Sequence, residues 1–168
     1  MKGLENPTNL ILYIISNSLA LLILFATWKN IRLGRLLFFM LFAWAGWTNW
    51  TTALNNPSAY LGEAELTFFN FYREFILGWF SSNIVLAVGF IASCQALIAV
   101  AMLGKTPLVK LGAIGGILFL VAIAPFGVGS AFPCTLVLAV AMGVILAKKE
   151  HSYLWMKQIQ GKISKNAI

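Results

Sequence analysis

Four apolar stretches divide the chain, and most polar positions fall between them. The first, Leu10 to Trp28, is interrupted at Ser16, Asn17 and Ser18. The second, Leu36 to Leu54, is rich in aromatics, among them Phe38, Phe39, Phe42, Trp44, Trp47 and Trp50. It ends at Asn55-Asn56-Pro57-Ser58, a cluster of turn formers. A helix needs about 20 residues to cross a hydrocarbon core, so each of these stretches reads as one span. Lys2 is offset by Glu5 and no small-x-small cleavage site follows the first stretch, so it reads as a retained helix rather than a signal peptide.

The third stretch, Phe75 to Leu103, follows a segment with no helix breaker and an aromatic stripe at Phe68, Phe69, Phe71 and Tyr72. One straight helix from Glu63 to Leu103 would be about 60 Å long, twice the hydrocarbon core. The pattern therefore predicts a bend at Gly78, an interfacial helix over 63–73 and a span over 75–103. The fourth stretch, Leu108 to Leu146, carries one charge, Lys110, and is broken by Pro125, Gly127, Gly129 and Pro133. It reads as a hairpin of two spans, 111–126 and 131–147, with a re-entrant loop that does not cross as the alternative. The expected architecture is all-α: five transmembrane helices (10–28, 36–54, 75–103, 111–126 and 131–147) in one membrane domain, a four-helix bundle plus one N-terminal helix. A basic tail, 148–168, follows.

Composition agrees with that pattern. The chain is 60% hydrophobic and 10% charged, with a mean hydropathy of +0.86, whereas soluble domains carry roughly 25% charged residues. A soluble enzyme and a secreted disulfide scaffold are excluded. The net charge of +7 would suggest nucleic acid in a soluble protein, but no basic stripe with stacking aromatics forms outside the spans. Ten of the twelve Lys and Arg fall on one side of the five-span arrangement, in the Lys29/Arg32/Arg35 loop, the Lys105/Lys110 loop and the tail with Lys148, Lys149, Lys157, Lys162 and Lys165. Lys2 and Arg73 lie opposite. The positive-inside rule then puts the N-terminus outside and the C-terminus in the cytoplasm, in a membrane of the prokaryotic inner-membrane type. Cys94 falls about 27 Å down the third span from Cys134's end, too far for a disulfide.

Candidate chemistry is sparse. No Asp, Glu, Lys, Arg or His lies within the five expected spans, which argues against a proton-coupled transporter or pump. The single His151 cannot supply bis-histidine haem ligation, and no metal site or covalent cofactor is expected. Polar groups converge near the outer surface: Trp47, Asn49 and Trp50 at the end of span two, Tyr60, the pair Arg73-Glu74, and Asn83. They form either an aromatic belt or a pocket between spans two and three for a quinone carbonyl, a lipid headgroup or a partner subunit. Arg73 is equally readable as a surface residue pairing with Glu63, Glu65 or Glu74. Gln95, Gly112, Gly116 and Gly143 read as helix-packing positions, the glycines with Ala139 in small-xxx-small faces. Trp155, Ile159 and Ile163 share a face that suits a helix lying on an anionic leaflet; a disordered tail is the alternative, because Gly161 interrupts it.

Over residues 33–147 the chain resembles the DoxX-like family of small four-span membrane proteins. The resemblance rests on Gly34-Arg35-Leu36-Leu37-Phe38-Phe39, Ala45-Gly46, Asn49, Pro57-Ser58-Ala59-Tyr60, Gln95, Phe119-Leu120 and Pro125. It implies a compact four-helix bundle acting beside membrane oxidoreductases, with span one as an addition; no catalytic residue carries over. The expected function is a non-catalytic subunit or accessory protein of a larger, quinone-linked redox assembly, with membrane lipids and a partner subunit or a second copy as its neighbours. The alternatives are a lipid or small-molecule binder or transporter using the outer pocket, and an enzyme acting through Arg73 and Glu74.

Overall fold

Two asparagines set the first helical hairpin. The Asn6 side chain accepts a hydrogen bond from the Thr8 backbone N–H at 2.9 Å, and Pro7 sits in the first turn, where its missing N–H costs nothing. Helix α1 then runs Pro7–Lys29. The Asn30 side chain accepts from the backbone N–H groups of Arg32 and Leu33 at 3.0 and 3.2 Å, starting α2, Ile31–Asn55. One residue separates the two helices. They meet closely because position 34 is glycine: a Cβ there would lie 2.8 Å from the Thr27 Cα.

The computed structural model describes residues 3–156 and is all-helical, with no strand among them. After α2 come a 3-10 turn at Pro57–Gly62, α3 at Glu63–Leu66 and α4 at Asn70–Phe75. A π-helical turn, Ile76–Phe80, leads to α5, Ile84–Leu103. Helix α6 spans Thr106–Ile123, a 3-10 segment covers Ala124–Ser130, and α7 runs Cys134–Ala147. The bend expected at Gly78 is present as a non-helical residue (φ −92°, ψ −113°). The expected single helix over 63–73 is instead two short helices. Thr67 and Phe69 are extended because the Phe68 N–H and the Thr67 hydroxyl both donate to the Pro125 carbonyl, each at 2.9 Å. That tertiary bond competes with the helix and wins. The expected span over 75–103 is likewise interrupted, its regular part starting at Ile84.

Three helical stretches are long and apolar enough to cross a membrane: Pro7–Lys29, Ile84–Leu103 and Thr106–Ser130. Helix α2 has 25 residues but is diluted by Arg32, Arg35 and its Thr-Asn-Trp end. Helix α7 has 14, about 21 Å at the helical rise. The five long helices close a ring in the order α1, α2, α5, α6, α7, and α2 also touches α7 across it. Helix α1 is peripheral and buries only Ala20 and Thr27. The core lies among the other four, with Phe38, Phe42, Met102, Val109, Met142 and Ile145 fully enclosed.

The two ends of the bundle differ. At one end the short α3–α4 lid packs on the 124–133 turn. Gly127 makes this contact with φ +65°, and a Cβ there would come within 2.6 Å of the Leu66 carbonyl, so glycine is required on both counts. At the other end the chain after α7 crosses back over the bundle as a non-helical strap. Thr106 and His151 exchange backbone and hydroxyl hydrogen bonds, and the Leu154 N–H donates to the Leu103 carbonyl. The helix expected from Trp155 is absent over 151–156; Ile159 and Ile163 lie outside the described residues.

Arg35 holds this end together. It belongs to the second turn of α2 rather than to a connecting loop, and it is 2% exposed. Its Nε donates to the Met102 carbonyl at 2.8 Å, one terminal nitrogen to Gly104 at 2.6 Å and the other to Ser152 at 2.9 Å. The long helices therefore contain charged residues that the expected spans excluded: Lys29 in α1, Arg32 and Arg35 in α2, and Lys110 in α6. The cation sits at the C-terminal end of α5, where orphan carbonyls and the helix dipole favour it.

A candidate binding cavity beneath the lid

At the lid end a partly open cavity of about 330 Å³ lies between α2, α5 and α6, bordered above by Tyr60, Glu63, Phe75, Ile76, Phe80 and the 126–130 segment. Its wall is mainly apolar, from Val88 and Ile91 of α5 to Phe119 and Ile123 of α6. Four polar residues line it: Asn49, Tyr60, Glu63 and Ser130.

Three of these are already bonded within the protein. The Asn49 amide nitrogen donates to Gln95 Oε1 at 2.8 Å, and the Tyr60 hydroxyl donates to Asn49 Oδ1 at 3.0 Å. Gln95 is 2% exposed, so this chain ties α2 to α5 where Gly46 lets the backbones approach; a Cβ there would lie 3.0 Å from the Ala92 carbonyl. The Ser130 hydroxyl turns onto the carbonyls of Gly127 and Ala124, at 3.1 and 3.3 Å. Burial pushes the Tyr60 phenol above its ordinary pKa, which keeps it a donor.

Glu63 differs. Its Oε2 is buried without a hydrogen-bond partner, and it sits against Gly129, where a Cβ would overlap the carboxylate. Burial raises its pKa above the ordinary carboxylate value, with no opposing cause. The sequence groups Glu63 with Glu65 and Glu74 as surface acids, and nothing in that pattern shows that one of them turns inward.

The expected outer cluster is only partly assembled. Asn49 and Tyr60 line the cavity, and Gln95 backs it. Trp50 packs its ring over Gly89, 3.0 Å from where a Cβ would stand. Trp47 is 71% exposed on the outside of α2. Arg73 and Glu74 are exposed, and Arg73 pairs with Glu65 at 3.2 Å. Neither lines the cavity, because α4 carries them on its outer side. Asn83 bonds the Trp79 carbonyl at 2.8 Å and faces a separate shallow furrow with Pro57 and Ser58.

Among the packing glycines, Gly112 lies against Ala101 and Met102, and Gly116 against Met142. At Gly143, by contrast, nothing among the described residues lies within 4 Å of a Cβ, so the close helix approach expected there is not made among them. Both cysteines are free, and no metal-binding cluster occurs among the described residues.

No family model, no curated protein and no solved structure matches this chain. The DoxX-like resemblance accordingly rests on the quoted residues alone, and function has to be read from the geometry.

Proposed function

We propose that this chain is an integral membrane protein that crosses a prokaryotic inner membrane five times, N-terminus outside and C-terminus inside. In this reading it binds a small, largely apolar molecule in the cavity beneath the lid. The cavity carries the proposal: its volume of about 330 Å³ falls in the range of ligand sites, and an apolar wall with a few convergent polar groups is the usual composition of one. Lys29, Arg32, Arg35, Lys105, Lys148 and Lys149 belong to the strap end, so the positive-inside rule turns the lid outward. The short α7 would be accommodated by local thinning of the bilayer.

The other reading, a non-catalytic subunit of a quinone-linked assembly, relies on exposed apolar faces such as Leu21, Leu22 and Phe25 on α1. Lipid would cover those faces equally well, so they favour no protein partner.

Native mass spectrometry of the protein extracted gently from its own membrane tests the binding role. Wild type should carry a non-protein mass, and Ala87→Trp, which fills the cavity from α5, should lose it. A bare wild-type chain, or the same adduct on both proteins, would contradict the proposal. A bare chain with a stoichiometric polypeptide bound would favour the subunit reading.

A further inference from the structure

The polar inventory of the cavity narrows what it can hold, given the binding role proposed above, on which this step rests. A ligand carbonyl, as on a quinone, needs a donor. The Tyr60 and Ser130 hydroxyls already donate within the protein and one Asn49 N–H is taken by Gln95, which leaves the second Asn49 N–H for a ligand carbonyl. An anionic head needs a cation, and no Lys, Arg or His lines the wall. Of the two buried side-chain atoms without a partner among the described residues, Thr135 Oγ1 lies outside the cavity, and Glu63 Oε2 belongs to its wall and accepts when the carboxylate is ionised. The same wall supplies five aromatic rings: Tyr60, Phe75, Phe80, Phe119 and Phe126. Three of these are already arranged in pairs about Phe80, with Tyr60 edge-on at 6.4 Å between centroids and Phe75 tilted at 5.9 Å.

We propose that the cavity binds a lipophilic ammonium cation, with Glu63 as the counter-ion and the aromatic rings as the cage around the charged head. Ring faces carry negative potential and attract a cation most strongly where water is excluded, and cages of this type hold quaternary ammonium groups. A desolvated carboxylate without a partner is costly to keep ionised. The ligand's positive charge removes that cost on binding, so charge complementarity here discriminates between ligands of the same shape.

Equilibrium binding to the full chain in dodecyl maltoside tests this with two probes of nearly equal shape: benzyltrimethylammonium and its neutral carbon isostere, neopentylbenzene. Wild type should prefer the cation by at least about tenfold after correction for empty micelles. Glu63→Gln should abolish that preference while still binding the neutral probe. Phe80→Leu, which leaves the carboxylate intact, should weaken the cation several-fold more than the isostere. Equal binding of both probes by wild type, or an unchanged preference in Glu63→Gln, overturns the cation assignment and leaves the cavity's binding role standing. Binding of neither probe also overturns the assignment, whereas the binding role itself falls if native mass spectrometry finds wild type bare or finds the same adduct on wild type and Ala87→Trp.

Discussion

Single positions in this bundle are decided by whether a side chain has somewhere to go. At Gly112 a Cβ would stand 2.7 Å from the Ala101 Cβ and 2.9 Å from the Met102 Cε. The methionine tip can swing aside, but the Ala101 methyl cannot. Gly112→Ala should therefore push α5 and α6 apart and cost about 1–3 kcal/mol, as overpacking does. Gly143→Ala meets open space and adds helix propensity, so it should be neutral or stabilising by up to about 1 kcal/mol. Thermal unfolding of the two variants in one detergent checks the pair; equal losses would mean that the α5–α6 approach is not as close as described. Both glycines fall in the same small-xxx-small pattern in the sequence, and no spacing rule separates them. The neighbour's identity does. Gln95 was more legible as a helix-packing amide, since lipid offers it few partners, although its partner Asn49 was grouped with the outer cluster.

At the scale of elements, the strap after α7 is the least expected feature, and its chemistry makes it sensitive to pH. His151 is buried, and its Nε2 lies 3.0 Å from the Ile145 carbonyl, placing the ring proton there. Burial lowers its pKa below the ordinary 6.5, and the nearby Arg35, Lys148 and Lys110 act in the same direction against that hydrogen bond. Below the ordinary value the unfolded chain takes up a proton that the folded chain refuses, so stability falls as pH drops from about 6.5 toward the lowered pKa. Glu63 has the opposite sign. Its raised pKa lets the folded state keep a proton that the unfolded state releases, so stability falls there as pH rises above the ordinary carboxylate range. Relative to wild type, His151→Gln should therefore lose the destabilisation that develops between pH 7 and pH 5, so the difference between the two unfolding midpoints should shift in the variant's favour as pH falls. A midpoint difference that stays constant from pH 7 to pH 5 would show that the strap does not depend on a neutral imidazole.

Elements whose causes are local were readable from the sequence. The weak point at Gly78 and the Pro-Gly turn at 125–133 each depend on neighbours in the chain, whereas the Asn30 cap that starts α2 at Ile31 was read as part of a loop. Arg35 was not readable. Its three acceptors lie 67, 69 and 117 residues away and are backbone carbonyls, which no residue pattern marks. The break at Thr67–Phe69 was hidden for the same reason, because Pro125 causes it from 58 residues away.

The whole molecule joins a rigidly tied basic end to a lid end built over a cavity. Arg35 and the strap fix three segments at one end with charge-assisted bonds, the stronger kind. The lid rests on the turn chiefly through the Pro125 carbonyl, the Tyr72 bond to Ala122 at 3.1 Å and the edge-on Phe68–Phe132 contact. This asymmetry has meaning for function only if the ends face opposite sides of a membrane, with the lid outward. Labelling of single cysteines in intact cells tests that point directly. With Cys94 and Cys134 replaced by alanine, a cysteine at exposed Ser58 reports the lid end, and one at exposed Lys149 reports the strap end. A membrane-impermeant maleimide should label Ser58→Cys in intact cells and Lys149→Cys only after the membrane is opened. Labelling of both in intact cells, or of Lys149→Cys alone, would contradict the orientation and with it the assignment of an outward-facing ligand cavity.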